Sequence, residues 1–241
     1  LYIETPSNPM MEITDLSACA ELAKEHNLLM ITDNTFLSPY LQNPIALGAD
    51  IVIHSASKFL CGHNDTIAGF VCSAKEELAA KIRLIAKTTG GCLSPFDSWL
   101  VMRGIKTLAV RMERQQENAG NIARWLTEQK KVRKVYYAGL ETHPGYEINA
   151  KQARGAGAMI SFDVDSVETA QRVLEKVRVI TFAESLGGTE SLITYPMKQT
   201  HPDVPKEWRE KLGITDTLLR LSVGLEHVDE LIADLEQAFV S

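Results

Sequence analysis

The sequence predicts an α/β protein built on a largely parallel sheet, followed by a smaller α+β unit. Three observations carry that expectation. Short continuous apolar runs, Leu28–Thr32 and Ile51–Ile53, end abruptly in polar or charged residues, as strands buried on both faces do. Helix-period segments alternate with these runs in the first half. Beyond about residue 130 the texture changes to strands and helices of a smaller unit.

Taken in order, Leu1-Tyr2-Ile3 reads as the inside of a strand, with the turn-forming Thr5-Pro6-Ser7-Asn8-Pro9 directly after it. With no initiator Met, the chain is expected to be the C-terminal part of something longer. Residues 14 to 26 have helical spacing, with Thr14 or Asp15 as N-cap and Leu16, Cys19, Ala20, Leu22 and Ala23 on one side. Residues 67 to 73 give a third strand and 75 to 87 a helix. Residues 96 to 130 give one long helix, broken if anywhere at Gly104 and ended by the charge-rich Glu128 to Lys134. Then come a strand over 155–164, a helix over 166–177, strands over 191–195 and 218–223, and an amphipathic helix over 228–239. The expected division is 1–118 and 119–241, with the boundary inside the long helix.

Composition excludes several function classes. The chain has 241 residues, enough for a sizeable core without disulfides or metals. A formal net charge of −6 argues against a nucleic-acid or anionic-membrane surface, and no apolar run is long enough to span a bilayer. Cys19, Cys61, Cys72 and Cys92 form no C-x-x-C pair or regular framework, which suits a reducing cytoplasm. The cluster His54, Cys61, His63 and Asp65 matches no structural zinc spacing, so no metal site is expected. Cys61 and Cys92 read as core or loop thiols, and Gly90-Gly91 and Gly187-Gly188 as turns.

Ligands of parallel α/β sheets sit beyond the carboxyl ends of the strands. Asp33 closes one apolar run there, and Ser55, Ser57 and Lys58 follow another, one strand–helix–strand step away. Such a pair is either a salt bridge or two solvated loop charges, or a Schiff-base lysine whose aldehyde cofactor has its pyridine nitrogen kept protonated by the aspartate. The hydroxyls before the lysine suit a phosphate, to which they donate without bulk. Spacing alone does not choose between these readings.

Five segments in order, E-T-P-S-N-P (4–9), D-N-T-F (33–36), H-S-A-S-K-F-L-C-G-H-N-D (54–65), E-S-L-G-G-T-E-S-L (184–192) and L-R-L-S-V-G-L-E (219–226), strongly resemble the Cys/Met-metabolism enzymes that use pyridoxal phosphate (PLP). The resemblance covers the whole chain. It implies the PLP-dependent transferase fold (aspartate-aminotransferase-like, fold type I), represented by the C-terminal half of the large domain and a small C-terminal α+β domain. It implies that Lys58 forms the link to the cofactor and shuttles protons, that Asp33 partners the pyridine nitrogen, that Asn8 bonds the phenolic oxygen, and that Ser55 and Ser57 contact the phosphate. It implies that Arg220 grips the substrate α-carboxylate with its planar fork and that Ser185 adds a carboxylate contact. Glu184 is either a specificity element toward a distal ammonium or a solvated loop acid. Ser57 stands where the family often has Thr, and keeps the hydroxyl. The family's glycine-rich phosphate turn, its ring-stacking tyrosine and a Tyr/Arg pair supplied across the dimer interface are expected upstream of these residues. The implied partners are a small amino-acid substrate and further copies of the chain, as a dimer of dimers. G-H-N-D with S-P-F-D-S-W-L looks most like the family's bacterial β-lyases, which implies β-elimination on cystathionine. The γ-synthases and γ-lyases share every residue named, and a non-catalytic module that keeps the fold is the reading from a different class.

Overall fold

The computed structural model describes residues 1–240. Strands β1 (Tyr2–Glu4), β2 (Ile31–Asp33), β3 (Ile51–Ser55) and β4 (Gly69–Cys72) form one sheet in that order. Helix α1 (Leu16–Glu25) makes the crossover from β1 to β2; the Asp15 carboxylate caps it by accepting from the Ala18 N–H at 3.0 Å. It buries Leu16 and Ala23 against Ile3, Met30, Ala49 and Val52. The apolar run begins later than its composition suggests, because Leu28 and Leu29 are exposed and β2 starts at Ile31. A short helix α2 (Ser38–Leu41) and a 3-10 turn ended by Gly48 lead into β3.

The first three strands are parallel, but β4 runs antiparallel to β3, pairing Ile53 with Val71 and Ser55 with Gly69. The expected third strand is thus present with the opposite direction. Residues 56–68 form a tight turn containing Lys58 instead of a crossover helix, and a chain that turns back at once pairs antiparallel. All of β4 is exposed, and helix α3 (Glu76–Thr89) buries no residue.

The expected long helix is two, α4 (Pro95–Ile105) and α5 (Leu108–Thr127). Gly104 does not break it: the residue stays helical, and a Cβ there would collide with the Cys61 carbonyl. The break comes two residues later and is held by buried Arg111. Its guanidinium donates to Gly104 O at 2.9 Å, Phe59 O at 2.8 Å and Thr107 Oγ1 at 3.1 Å, satisfying carbonyls at the end of α4 and in the lysine turn.

The second sheet has the order β5 (Val132–Tyr136), β6 (Met159–Val164), β9 (Leu218–Ser222), β8 (Leu192–Thr194), β7 (Thr181–Phe182), antiparallel except for the β7–β8 pair. The charge-rich stretch read as a helix end does follow the end of α5 at Thr127, and its last three residues open β5, an edge strand on which Arg133 and Lys134 are exposed. The strand expected from Gly155 begins only at Met159, since Gly157 has φ +73°. Helices α6 (Tyr146–Gln152) and α8 (Lys206–Lys211) are too short to leave a period in the sequence. Helices α5, α7 (Val167–Lys176) and α9 (Val228–Val240) supply Ile122, Leu126, Val173, Leu235 and Phe239 to a core shared with Ile160, Phe162, Leu219 and Leu221. Among the described residues no helix is long and apolar enough to cross a membrane.

Candidate active site

The parallel register Glu4–Asp33–Ile53 brings the carboxyl ends of β1, β2 and β3 to one edge, and each end opens into a loop that carries site residues. After β3 the chain winds through a turn closed by Cys61 N–H to Ala56 O at 2.9 Å and Gly62 N–H to Lys58 O at 2.8 Å. Wholly buried Phe59 anchors the turn, so Lys58 itself stays half-buried with its amine in the site. Burial pushes the Lys58 amine below the usual lysine range, the Arg220 guanidinium adds to this, and Glu184 opposes it.

Asp33 is fixed from one side. Its Oδ1 accepts from the Thr35 N–H at 3.0 Å and the Thr35 hydroxyl at 2.6 Å, while Oδ2 accepts from the Tyr2 hydroxyl at 3.4 Å. The same Thr35 hydroxyl accepts from the Ser55 N–H at 2.8 Å and so ties the ends of β2 and β3 together. The half-buried Ser57 hydroxyl donates to Ala68 O at 3.3 Å and accepts from the Ala68 N–H at 2.9 Å.

Arg220, 2% exposed on central strand β9, reaches across to the first loop. It donates to Asn8 Oδ1 at 2.8 Å, to Glu184 O at 3.0 Å and to Thr194 Oγ1 at 3.1 Å. Burial lowers its pKa to about 10, against the pull of Glu184 and Glu4. Among the described residues its Nε–H is buried without a partner. Glu184 meets Arg220 through its backbone carbonyl, and its side chain is exposed.

The loop 184–190 lies on the lysine turn. Gly187, at φ +79°, comes so close that a Cβ would stand 2.6 Å from Phe59 N. This places the Ser185 hydroxyl 3.5 Å from Lys58 Nζ and 3.1 Å from Asn64 Oδ1. Asn64 in turn donates to the Glu190 carboxylate at 2.5 Å. Lys58, Asp33, Asn8, Ser55, Ser57, Ser185, Glu184 and Arg220 are thus gathered at one edge. Thr35, Thr194, Asn64 and Glu190 join them without having been singled out; Thr35 and Asn64 stand inside the quoted segments D-N-T-F and G-H-N-D, and Glu190 inside G-G-T-E, which was the available signal. Cys61 Sγ lies 3.1 Å from Asp65 Oδ1, and burial, with that acid, raises the thiol to about 11, which makes it a poor nucleophile. Among the described residues no group of three or more His, Cys, Asp or Glu is arranged to hold a metal. A cavity of about 540 Å³, lined by Met10, Lys134, His143 and Lys211 among others, contains none of the site residues.

The two sheets, with the lysine turn at the end of β3 and the arginine strand facing it, have the PLP-dependent transferase fold. The crystal structure of cystathionine gamma-lyase from Lactobacillus plantarum complexed with L-serine superposes with a TM-score of 0.97 at 48% identity, over 100% of this chain and 63% of that one. A crystal structure of cystathionine gamma synthase from Xanthomonas oryzae pv. oryzae, in complex with cystathionine, also gives 0.97, at 44% identity over 99% of this chain and 62% of that one. Residues 1–240 match the family model for Cys/Met metabolism PLP-dependent enzymes, and the chain belongs to that family. It is 50% identical over 238 residues to the cystathionine beta-lyase of Lactococcus lactis subsp. cremoris (strain MG1363), covering 99% of this chain and 63% of that protein. It is 48% identical over 241 residues to the cystathionine gamma-synthase of Haemophilus influenzae (strain ATCC 51907 / DSM 11121 / KW20 / Rd), covering 100% of this chain and 61% of that protein. The chain therefore spans under two thirds of the length of these relatives. Pyridoxal phosphate is the family's cofactor.

Proposed function

We propose that the protein is a PLP-dependent carbon–sulfur lyase that cleaves cystathionine by β-elimination, giving homocysteine, pyruvate and ammonia. The observation that carries this is the approach of Lys58 Nζ, the Ser185 hydroxyl and the buried Arg220 with its unpartnered Nε–H beyond the carboxyl end of β3. One amine, one carboxylate and several hydroxyls match the needs of a phosphorylated pyridine aldehyde: Lys58 for the covalent link, Asp33 for the ring nitrogen, Asn8 for the phenolic oxygen, Ser55 and Ser57 for the phosphate. When bound, that group supplies the electron sink for a carbanion at the substrate Cα. The chain's own residues do the rest. Arg220 holds the α-carboxylate, with Ser185 beside it. The free Lys58 amine, neutral more readily because of burial and Arg220, takes the Cα proton. Glu184, exposed at the rim, attracts the distal ammonium of cystathionine. The division at residue 118, a homo-oligomer and a cytoplasmic location belong to the same proposal.

A γ-lyase or γ-synthase is the second reading, favoured by relatives of nearly equal identity: the cystathionine gamma-lyase of Bacillus subtilis (strain 168) is 49% identical over 238 residues. The test gives the full-length protein PLP and cystathionine and identifies the products by mass. Homocysteine with pyruvate supports the β-lyase, and cysteine with 2-oxobutyrate means the γ-lyase. Condensation of cysteine with an activated homoserine ester, without cleavage, means the synthase. Inertness in all three assays would leave a non-catalytic module. A borohydride-reducible link to the cofactor that persisted in Lys58→Ala would refute the lysine assignment.

A further inference from the structure

We propose that Asn64 and Glu190 are positioning residues that set the direction of a hydrogen-bond chain ending at Lys58, so that the Ser185 hydroxyl can accept from the lysine amine but not donate to it. The inference rests on the reading of Lys58 as the base of this site.

The chain runs Lys58 Nζ to Ser185 Oγ at 3.5 Å, Ser185 Oγ to Asn64 Oδ1 at 3.1 Å, and Asn64 Nδ2 to Glu190 Oε1 at 2.5 Å. Its polarity is fixed at the far end. A carboxylate only accepts, so the Asn64 NH₂ must face Glu190 and the amide oxygen must face Ser185. Burial works to raise the Glu190 carboxyl, but bonds from Asn64 and Thr189 and the nearby His63 more than offset it and leave the group ionised. An amide oxygen cannot donate, so the single Ser185 proton is committed to Asn64. What Ser185 offers Lys58 is then a lone pair. Accepting an N–H of the amine fixes the position of Nζ and leaves the nitrogen lone pair uncapped for proton abstraction. A hydroxyl free to rotate would donate into that lone pair and weaken the base.

The backbone is shaped around this chain. Asn64 holds φ +52°, a conformation Asn adopts more readily than most side chains. Gly188 has no Cβ where one would run into the Asn64 amide.

The test uses Asn64→Gly, which removes the amide while keeping the positive φ unstrained. The first readout is the pH dependence of Lys58 modification by an amine-reactive reagent in cofactor-free protein, followed by peptide mass spectrometry. With Ser185 released to donate to the neutral amine, the midpoint for Lys58 falls by about half a unit or more in Asn64→Gly. In the PLP-loaded protein kcat falls about tenfold while KM changes far less, since the Arg220 contacts to the substrate carboxylate are untouched. An unchanged midpoint and kcat in Asn64→Gly would overturn the proposal while the parent still forms its borohydride-reducible link at Lys58. A parent that forms no such link overturns the reading of the site, and this inference with it.

Discussion

Replacing Gly187 by Ala is expected to separate the loop 184–190 from the lysine turn. Two costs apply. The residue sits at φ +79°, where an L side chain costs about 1–2 kcal/mol. The new Cβ would lie 2.6 Å from Phe59 N and 2.9 Å from Lys58 C. Both are backbone atoms, so no side chain can rotate away. Ordinary contact requires the loop to lift by about 0.8 Å, and such overpacking costs about 1–3 kcal/mol. The total is about 2–5 kcal/mol. Lys58 Nζ and Ser185 Oγ are already 3.5 Å apart, so the same lift breaks their hydrogen bond. Gly90→Ala is the control: its φ is +75°, yet nothing lies within 4 Å of the added Cβ, so it carries only the conformational cost. Urea unfolding of the two variants at equal m gives the contact cost as their difference, about 1–3 kcal/mol. Gly187→Ala should also lose most activity at saturating substrate, and Gly90→Ala should not. Equal midpoints for the two variants would refute the argument that loop and lysine turn are in forced contact.

Arg220→Lys keeps the charge but not the fork. One ammonium cannot serve Asn8, Glu184 O and Thr194 and still grip a carboxylate on two points, so KM should rise about 100-fold and stability fall by about 2–4 kcal/mol; a KM within about threefold would mean that Arg220 is a structural cation only. Glu184→Gln removes the one named influence that favours the Lys58 ammonium, so the Lys58 midpoint should move further down and the acid limb of the rate profile with it. An upward movement in the kcat profile would contradict that sign.

The residues legible in the sequence share a physical signature: each breaks an apolar run. Asp33 ends one, Lys58 follows another five residues after its end, and Arg220 interrupts a third, and a charge at such a place has to be explained by a partner or a ligand. The residues that were not legible gain their roles from approach between distant loops. Asn64 meets Glu190 across 126 residues of chain and Ser185 across 121, and nothing local to G-H-N-D announces either contact. Gly104 shows the same limit from the other side. In one dimension it reads as a helix breaker; in three it is the only residue that lets α4 pass the Cys61 carbonyl, while Arg111, an ordinary arginine by sequence, closes the actual break. The reversal of β4 belongs here too, because its apolar residues fit a strand of either direction and only the turn that carries Lys58 decides which one forms. The lysine turn thus takes the place of a crossover helix. The chain stops at the carboxyl end of β3, holds its lysine at the strand edge and folds back along the strand it has just left, so the topology that misled the reading of the sheet is the one that keeps Lys58 in the site.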